Sequence, residues 1–257
     1  MRFMDRTGRV QSIDRAVMVL KCFSEKEKEL SLAEIAERLD INKSTIHGII
    51  STLKYHGLIA QDERSQKYRL GLGLMELGAI VSNSMDVNEI AEPYLADLCN
   101  KLEETVHMCL LDDKDVVYIG KKESNQSIRI ITKIGSRIPA YCTGVGKAIL
   151  ANLEHDEAER HLPENLDKKA PKTVTDKKEL AIELSKIKSR GYSIDDEEYT
   201  QGLYCVAAPI FDRFGNVKYA ISTSGPTIRM TDAKKDSAIK LVTEAAKEIS
   251  RKLGYEG

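Results

Sequence analysis

No stretch of the 257-residue chain is apolar over the roughly 18 residues that a membrane-spanning helix requires. The opening residues, MRFMDRTGRV, lack the apolar centre of a secretory signal. The five cysteines (Cys22, Cys99, Cys109, Cys142 and Cys205) are an odd number with no tight spacing, so no disulfide framework is written in them. There is no internal repeat and no low-complexity segment. An excess of charge of one sign is missing as well: 39 basic against 40 acidic side chains gives −1. That excludes a wholly basic nucleic-acid coat, but it averages over domains. Up to Leu72 there are 13 basic and 10 acidic side chains, a balance of +3, which leaves −4 on the remainder. A mildly basic N-terminal part on an acidic remainder fits DNA binding by one domain only. The expectation is a soluble, cytoplasmic protein with reduced thiols and no membrane association.

The stretch LSLAEIAERLDINKSTIHGIISTLKYHGL, from Leu30 to Leu58, organises what is there. Leu32, Ile35, Ala36 and Leu39 recur at helical spacing, and Ile46, Ile49, Ile50 and Leu53 repeat the pattern. Only Asp40-Ile-Asn42 lies between, so two short helices meet at a tight turn, a helix-turn-helix. Ser31 and Glu34 form a capping box, with Leu30 and Ile35 as its hydrophobic staple. Asn42 suits the N-cap of the second helix and Gly57 its stop. The outward face of that helix offers Asn42, Lys43, Ser44, Thr45, His47, Ser51, Thr52 and Lys54, and no acid. Hydroxyls, amides and cations are what phosphates and base edges accept. A solvated polar face on an ordinary helical hairpin would look the same locally. The next segment shifts the balance: residues 58–61 and 67–70 flank a polar turn and read as a β-hairpin. With a first helix capped by Ser12 and burying Ile13, Val17, Leu20 and Phe23, this makes a winged helix-turn-helix. Arg64, Lys67 and Arg69 put positive charge on the wing.

At about 150 residues per domain, the length suggests roughly two domains. The expected division is a DNA-binding domain over 1–73, a linker helix over 74–86 and a second domain over 87–257. Met1 to Val10 reads as a loose arm. In the second domain, Val87 to Leu102 reads as a helix. Residues 105–111, 116–121 and 128–132 are β-rich. A hairpin spans Tyr204–Phe211 and Val217–Ser222, and a long helix spans Thr231–Leu253. Strands and helices do not alternate regularly, which argues for an α+β domain with a mainly antiparallel sheet.

Several motifs fail on inspection. Gly71-Leu-Gly73 lacks the third glycine of a dinucleotide fingerprint, because residue 76 is Glu76. Thr143-Gly-Val-Gly-Lys147 is part of a P-loop, but Tyr141 and Ala148 occupy its other defining positions. Glycines before a helix still expose backbone N–H groups able to hold a small anion, unless they only serve a tight turn. The acids Asp195 to Glu198 read most simply as a solvated face. His107 and Cys109 share a strand face, which is too little for zinc. No metal or cofactor is expected. A Cys–His nucleophile pair is possible on paper, with nothing local to activate either cysteine.

Taken together, these segments resemble the IclR family of transcriptional regulators over nearly the full length. VQSIDRAVMVLKCF, the helix-turn-helix and YRLGLGLMELG match its N-terminal part. TGVGKAILA, RGYSIDDEEYTQGLYCVAAPIFD and AISTSGP match its effector domain. The resemblance implies a winged helix-turn-helix joined by a linker helix to a GAF-like effector-binding domain. It also implies dimers or tetramers on palindromic double-stranded operators, and a small carboxylate effector. In members that bind small keto acids, the pocket positions fall on Gly144, Val145, Asp195, Cys205, Ser222 and Ser224. The local physics adds Gly146. Gly48 departs from the family pattern, in which many members carry Arg on the recognition helix. The function expected is a regulator, as a repressor, with no enzymatic activity. The rivals are a thiol-dependent or hydrolytic enzyme with an accessory winged helix, and a winged helix that binds protein alone.

Overall fold

The computed structural model describes residues 10–24, 26–83, 86–128 and 130–256. The arm expected over Met1 to Val10 therefore lies, except for Val10, outside the described residues. The chain divides between residues 84 and 85 into two compact units.

In the first unit, α1 (Gln11–Leu20), α2 (Leu32–Leu39) and α3 (Lys43–Tyr55) precede a hairpin of β1 (Ile59–Gln61) and β2 (Tyr68–Leu70), and α4 (Gly73–Asn83) follows. Val19, Leu30, Ile35, Ile46, Ile50, Leu53, Ile59 and Tyr68 close one core. The capping box forms: the Glu34 N–H donates to Ser31 Oγ, and the Ser31 N–H donates to Glu34 Oε2 at 2.7 Å. Asp40 makes the turn in the left-handed conformation. Leu30 and Tyr68 exchange backbone hydrogen bonds of 2.9 and 2.7 Å, which fasten the wing to the residue before the α2 N-cap.

One expectation is met in position without its side-chain bond, and two are corrected. Asn42 occupies the N-cap of α3, but its side chain makes no capping bond. Ser12 lies inside α1, whose N-cap is Val10. Ile13 and Val17 are 62% and 42% exposed, whereas Val19 is fully buried. The α1 sequence carries two overlapping apolar stripes, and the unit's own core covers only the one through Val19, Ala16 and Leu20.

The Gly71-Leu-Gly73 pair has a packing role instead of a nucleotide-binding one. The wing exit crosses the end of α3, and a Cβ at Gly71 would stand 2.1 Å from the Gly57 carbonyl oxygen. Gly57 itself ends α3 at φ +70°.

The second unit holds a 6-stranded antiparallel sheet in the order β5-β4-β3-β8-β7-β6. Its strands are β3 (Thr105–Asp112), β4 (Asp115–Lys122), β5 (Arg137–Pro139), β6 (Ser193–Asp196), β7 (Leu203–Phe211) and β8 (Val217–Pro226). Period-2 alternation sorts the side chains. Val106, Met108, Val206, Ala208, Ile210 and Ile221 meet α5 (Asp86–Leu102) and α9 (Asp232–Lys252). Cys109, Val116, Ala207 and Ala220 meet α6 (Gly144–Leu150) and α8 (Lys177–Arg190) on the other face. The short α7 (His155–Arg160) lies between α6 and α8 in the chain.

The segment 128–132 is not a strand among its described residues, and Ile128 and Ile131 are exposed. Its β-branched composition has no pairing partner, and the edge beside β4 is taken by β5. The acidic run after Gly191 hides β6, an edge strand that pairs Asp195 with Cys205. Ser222 and Ser224 lie within β8, which continues to Pro226, and do not end it.

Two glycines separate by what surrounds them. A Cβ at Gly146 would stand 2.1 Å from the Ala140 carbonyl oxygen, and one at Gly48 meets nothing within 4 Å. Gly146→Ala should therefore destabilise the protein by about 3 kcal/mol or more, because backbone blocks the methyl. Gly48→Ala should stabilise it by about 0.5–1 kcal/mol through helix propensity. Urea unfolding of both variants checks the pair.

Candidate DNA-binding face and candidate effector site

On α3, Asn42, Lys43, Ser44, His47, Ser51, Thr52 and Lys54 are exposed, and Thr45 is half-buried. The burial of Ile46, Ile50 and Leu53 turns this polar face outward. Two of its members have partners of their own. The Thr52 hydroxyl donates to the Gly48 carbonyl at 3.1 Å. Lys54 Nζ donates to Gln61 Oε1 at 2.9 Å, linking the end of α3 to β1. On the wing, Arg64 and Arg69 are exposed and Lys67 is half-buried. The tip is folded by Asp62, whose carboxylate accepts from the N–H groups of Arg64 and Ser65 at 3.0 and 2.7 Å. Tyr55, 86% exposed at the end of α3, was not signalled by the apolar period.

In the second unit, the sheet register brings distant residues together. Cys205 pairs with Asp195 on one side and with Ser224 on the other, and Ala207 pairs with Ser193 and Ser222. Residues in register on neighbouring antiparallel strands share a face. α6 lies on that face: a Cβ at Gly144 would be 3.5 Å from Ala207 Cβ and 3.7 Å from the Cβ atoms of Asp195 and Cys205. Gly144, Asp195 and Cys205 are therefore neighbours, and Ser222 and Ser224 stand on the next strand. Gly146 departs from its expected role, because its N–H donates to Thr143 Oγ at 3.3 Å. The N–H groups of Gly144 and Val145 meet no acceptor among the described residues.

Asp195 is 2% exposed. Its Oδ1 accepts from the N–H groups of Glu198 at 2.8 Å and Tyr199 at 3.4 Å. Burial pushes its pKa up to about 6; the Glu198 charge adds to the rise, while the backbone donors and Lys147 oppose it. The acid run is thus not a solvated face at this position.

Lys147 has no exposed surface. Its Nζ donates to the Ile194 carbonyl at 2.8 Å and to Glu198 Oε1. In the sequence Lys147 reads only as a fragment of a P-loop, because its partner lies 51 residues away. A lysine following glycines at the head of an apolar helix was the available signal.

A thiol enzyme needs a cysteine beside a histidine, and the in-register neighbours of Cys205 are Asp195 and Ser224. Burial raises the Cys205 and Cys109 thiols far above their ordinary value, opposite to an activated thiolate. No group of three or more His, Cys, Asp or Glu able to hold a metal ion occurs among the described residues. None of the described helices is long and apolar enough to cross a membrane.

A helix-turn-helix followed by a charged wing, in one chain with a second α+β unit, defines the class of DNA-binding transcriptional regulators. Residues 12–63 match the IclR helix-turn-helix domain family, and residues 79–251 match the bacterial transcriptional regulator IclR C-terminal family. The chain is 35% identical to the HTH-type transcriptional regulator KdgR of Escherichia coli K12, over 96% of this chain and 94% of that protein. It is 31% identical to the E. coli K12 transcriptional repressor AllR, over 96% and 91%. The crystal structure of the Thermotoga maritima IclR superposes with a TM-score of 0.81 at 33% identity, covering 96% of this chain and 100% of that one. The chain belongs to the IclR family of bacterial transcriptional regulators.

The elevated Asp195 pKa makes a stability prediction. The folded state holds this proton up to about pH 6, while the unfolded chain releases it near 3.8. Between these values the folded state binds more protons, so stability falls as pH rises and is level above. Asp195→Asn should remove that loss, gaining on the order of 3 kcal/mol over wild type at pH 7.5 relative to pH 4. Denaturant unfolding of both proteins at the two pH values measures the difference directly.

Proposed function

We propose that the chain is a repressor that binds a palindromic operator as a homodimer or homotetramer, and that a small carboxylate metabolite in the second unit modulates this binding. The observation that carries the DNA half is the exposed, acid-free face of α3 beside the cationic wing. Ser44, Thr45, His47 and Ser51 are the candidates for groove contacts, and Lys43 for the phosphate backbone. Asn42, Thr52, Lys54, Arg64, Lys67 and Arg69 are the candidates for the flanking backbone. Assembly is supported by the apolar side chains that the first unit leaves in water: Ile13 and Val17 on α1, and Met75, Leu77 and Ile80 on α4. One recognition helix reads only a few base pairs, so specificity requires a second copy related by a two-fold axis. The interaction-only winged helix predicts no salt-dependent DNA affinity.

The effector half rests on the apposition of Gly144, Asp195 and Cys205 beside Ser222 and Ser224. The serine hydroxyls and the Gly144 and Val145 N–H groups are the donors proposed to take a carboxylate. Gly146 supports them from behind. Asp195 repels that charge and is suited to accept a hydrogen bond from a hydroxyl or hydrated carbonyl on the same ligand. A keto, hydroxy or sugar acid meets both demands, and a plain fatty acid meets one. The repressor named among the relatives supports the sign of regulation.

Two experiments test this reading. Lys43→Ala and Lys54→Ala should each flatten the slope of log affinity against log salt by about 1, with affinity lowered across all sequences. Full operator affinity in the double variant rejects the DNA face, and a strict monomer on DNA by light scattering rejects the assembly. Titration calorimetry with keto, hydroxy and sugar acids should find a ligand that shifts operator affinity by about 1–3 kcal/mol. Unchanged affinity for it in both Asp195→Ala and Ser222→Ala moves the pocket elsewhere.

A further inference from the structure

The sheet of the second unit has an open edge beyond β6. That strand begins at Ser193, in register with Ala207, and Gly191 turns the chain away at φ +81°. β7 runs on to Phe211, so Pro209 and Phe211 have β8 on one side and no strand on the other. An open edge invites another strand. Here the donors for one are missing: Pro209 has no N–H, and the Phe211 N–H donates to Ser250 Oγ at 3.0 Å.

Beside this edge lies a cavity of about 440 Å³, between the ends of α8 and α9. That volume falls within the range of small-molecule sites, about 300–1,000 Å³. Pro209 and Phe211 line it, with Tyr255 stacked on Phe211 at a centroid distance of 4.8 Å. It is separate from the effector candidates, because Pro209 lies about 13 Å along β7 from Cys205.

Its charge is one-sided. Lys188 and Arg190 line it from α8, Lys247 and Arg251 from α9, and Glu256 is the one acid among the described residues. Arg190 is paired with Glu183 at 2.8 Å, and Arg251 with Glu248. The Lys188 and Lys247 side chains have no ion pair or hydrogen bond among the described residues. A helix end favours cations in its last turn, which accounts for Lys188 but not for Lys247, a turn before the end of α9. Thr243 lines the cavity from the same face of α9 as Lys247. A helical threonine can donate to the carbonyl four residues back, as Thr52 does to Gly48. The Thr243 hydroxyl is instead buried and unpartnered. Such a group works against the fold unless a partner arrives.

We propose that this cavity is a second small-molecule site, for a phosphate monoester with an apolar ring. The phosphate meets Lys188, Lys247 and the Thr243 hydroxyl, and the ring lies against Pro209, Phe211 and Tyr255. A sphere of the cavity's volume is about 9 Å across, so both ammonium groups reach one anion. Two unpaired cations match the charge of about −1.5 to −2 on a phosphate ester, and a carboxylate leaves one of them unanswered. Glu256 is exposed and can turn to water. The inference does not rest on the effector reading above.

Calorimetric titration of the full chain with phenyl phosphate, inorganic phosphate and phenol tests this. Phenyl phosphate should bind roughly tenfold or more tightly than either of the others. Lys188→Gln and Lys247→Gln should each weaken it about fivefold or more and reduce its salt dependence. Tyr255→Ala should weaken phenyl phosphate by about as much and leave inorganic phosphate within about twofold. Thr243→Val should weaken it about threefold, with the thermal midpoint level or higher, because it removes an unsatisfied hydroxyl. Lys186→Gln is the control: this exposed lysine of α8 lies outside the cavity and should change nothing.

No binding of phenyl phosphate, or no preference for it over inorganic phosphate, overturns the proposal. An equal loss in Lys186→Gln also overturns it, by showing general attraction to a basic surface. So does a loss in Ser222→Ala with none in Lys188→Gln and Lys247→Gln, which places the ligand at the candidate effector site instead.

Discussion

An ammonium group with no access to water must find its counter-charge inside the fold, since burying it alone costs several kcal/mol or more. Lys147 is that group, and the candidate site is arranged by how it is satisfied. Its bonds to Ile194 and Glu198 tie α6 to the edge strand β6 and to the turn that follows. The same turn folds back through the Glu198 and Tyr199 N–H groups onto the Asp195 carboxylate. A four-residue edge strand would otherwise be weakly held. Anchored in this way, β6 presents Asp195 beside Gly144 and Cys205.

Under the proposed effector reading, the charge left over decides what the site would accept. Lys147 and Glu198 neutralise each other, and Asp195 has no cation of its own to pair with. Its raised pKa expresses that deficit. A carboxylate entering the proposed site would be pushed from Asp195 toward the serines of β8. A ligand hydroxyl is drawn to Asp195. Selectivity by repulsion is as effective as selectivity by attraction, because affinity differences alone set discrimination. The buried thiol of Cys205 separates the two ends without adding charge.

Much of the first unit was legible because its signals are local. Helical periods, the Ser31–Glu34 capping box and the turn before α3 each lie within a few residues of one another. The stripe on α1 was not, since Ile13 and Val17 look as apolar as Val19, and only packing decides which of them the core takes. In the second unit the segment 128–132 looks like a strand in the sequence for a related reason: β-branched composition describes a residue's preference, while a strand also needs a neighbour to pair with. β6 was hidden by the opposite error, as four acids mask an edge strand whose Asp195 is buried. The placement of Ser222 against His107 and of Ser224 against Thr105 joins positions far apart in the chain. Register of that kind is a property of the closed sheet, and no local pattern in either segment carries it.

The uncovered stripes and the small reach of one recognition helix are two separate deficits of the first unit. Apolar side chains on α1 and α4 remain in water, which a lone winged helix has no reason to maintain. A single α3 contacts too few base pairs to find one site among a genome's competitors. The second copy proposed above would answer both at once, by covering the stripes and by doubling the sequence read. It also gives the second unit something to act on. A ligand that binds one face of a sheet can alter DNA affinity only through an element with two arrangements, and the spacing between paired recognition helices is such an element. Under that proposal the exposed stripes belong in the same argument as the buried lysine: the lysine would set what a ligand meets, and the stripes would set what its binding could move.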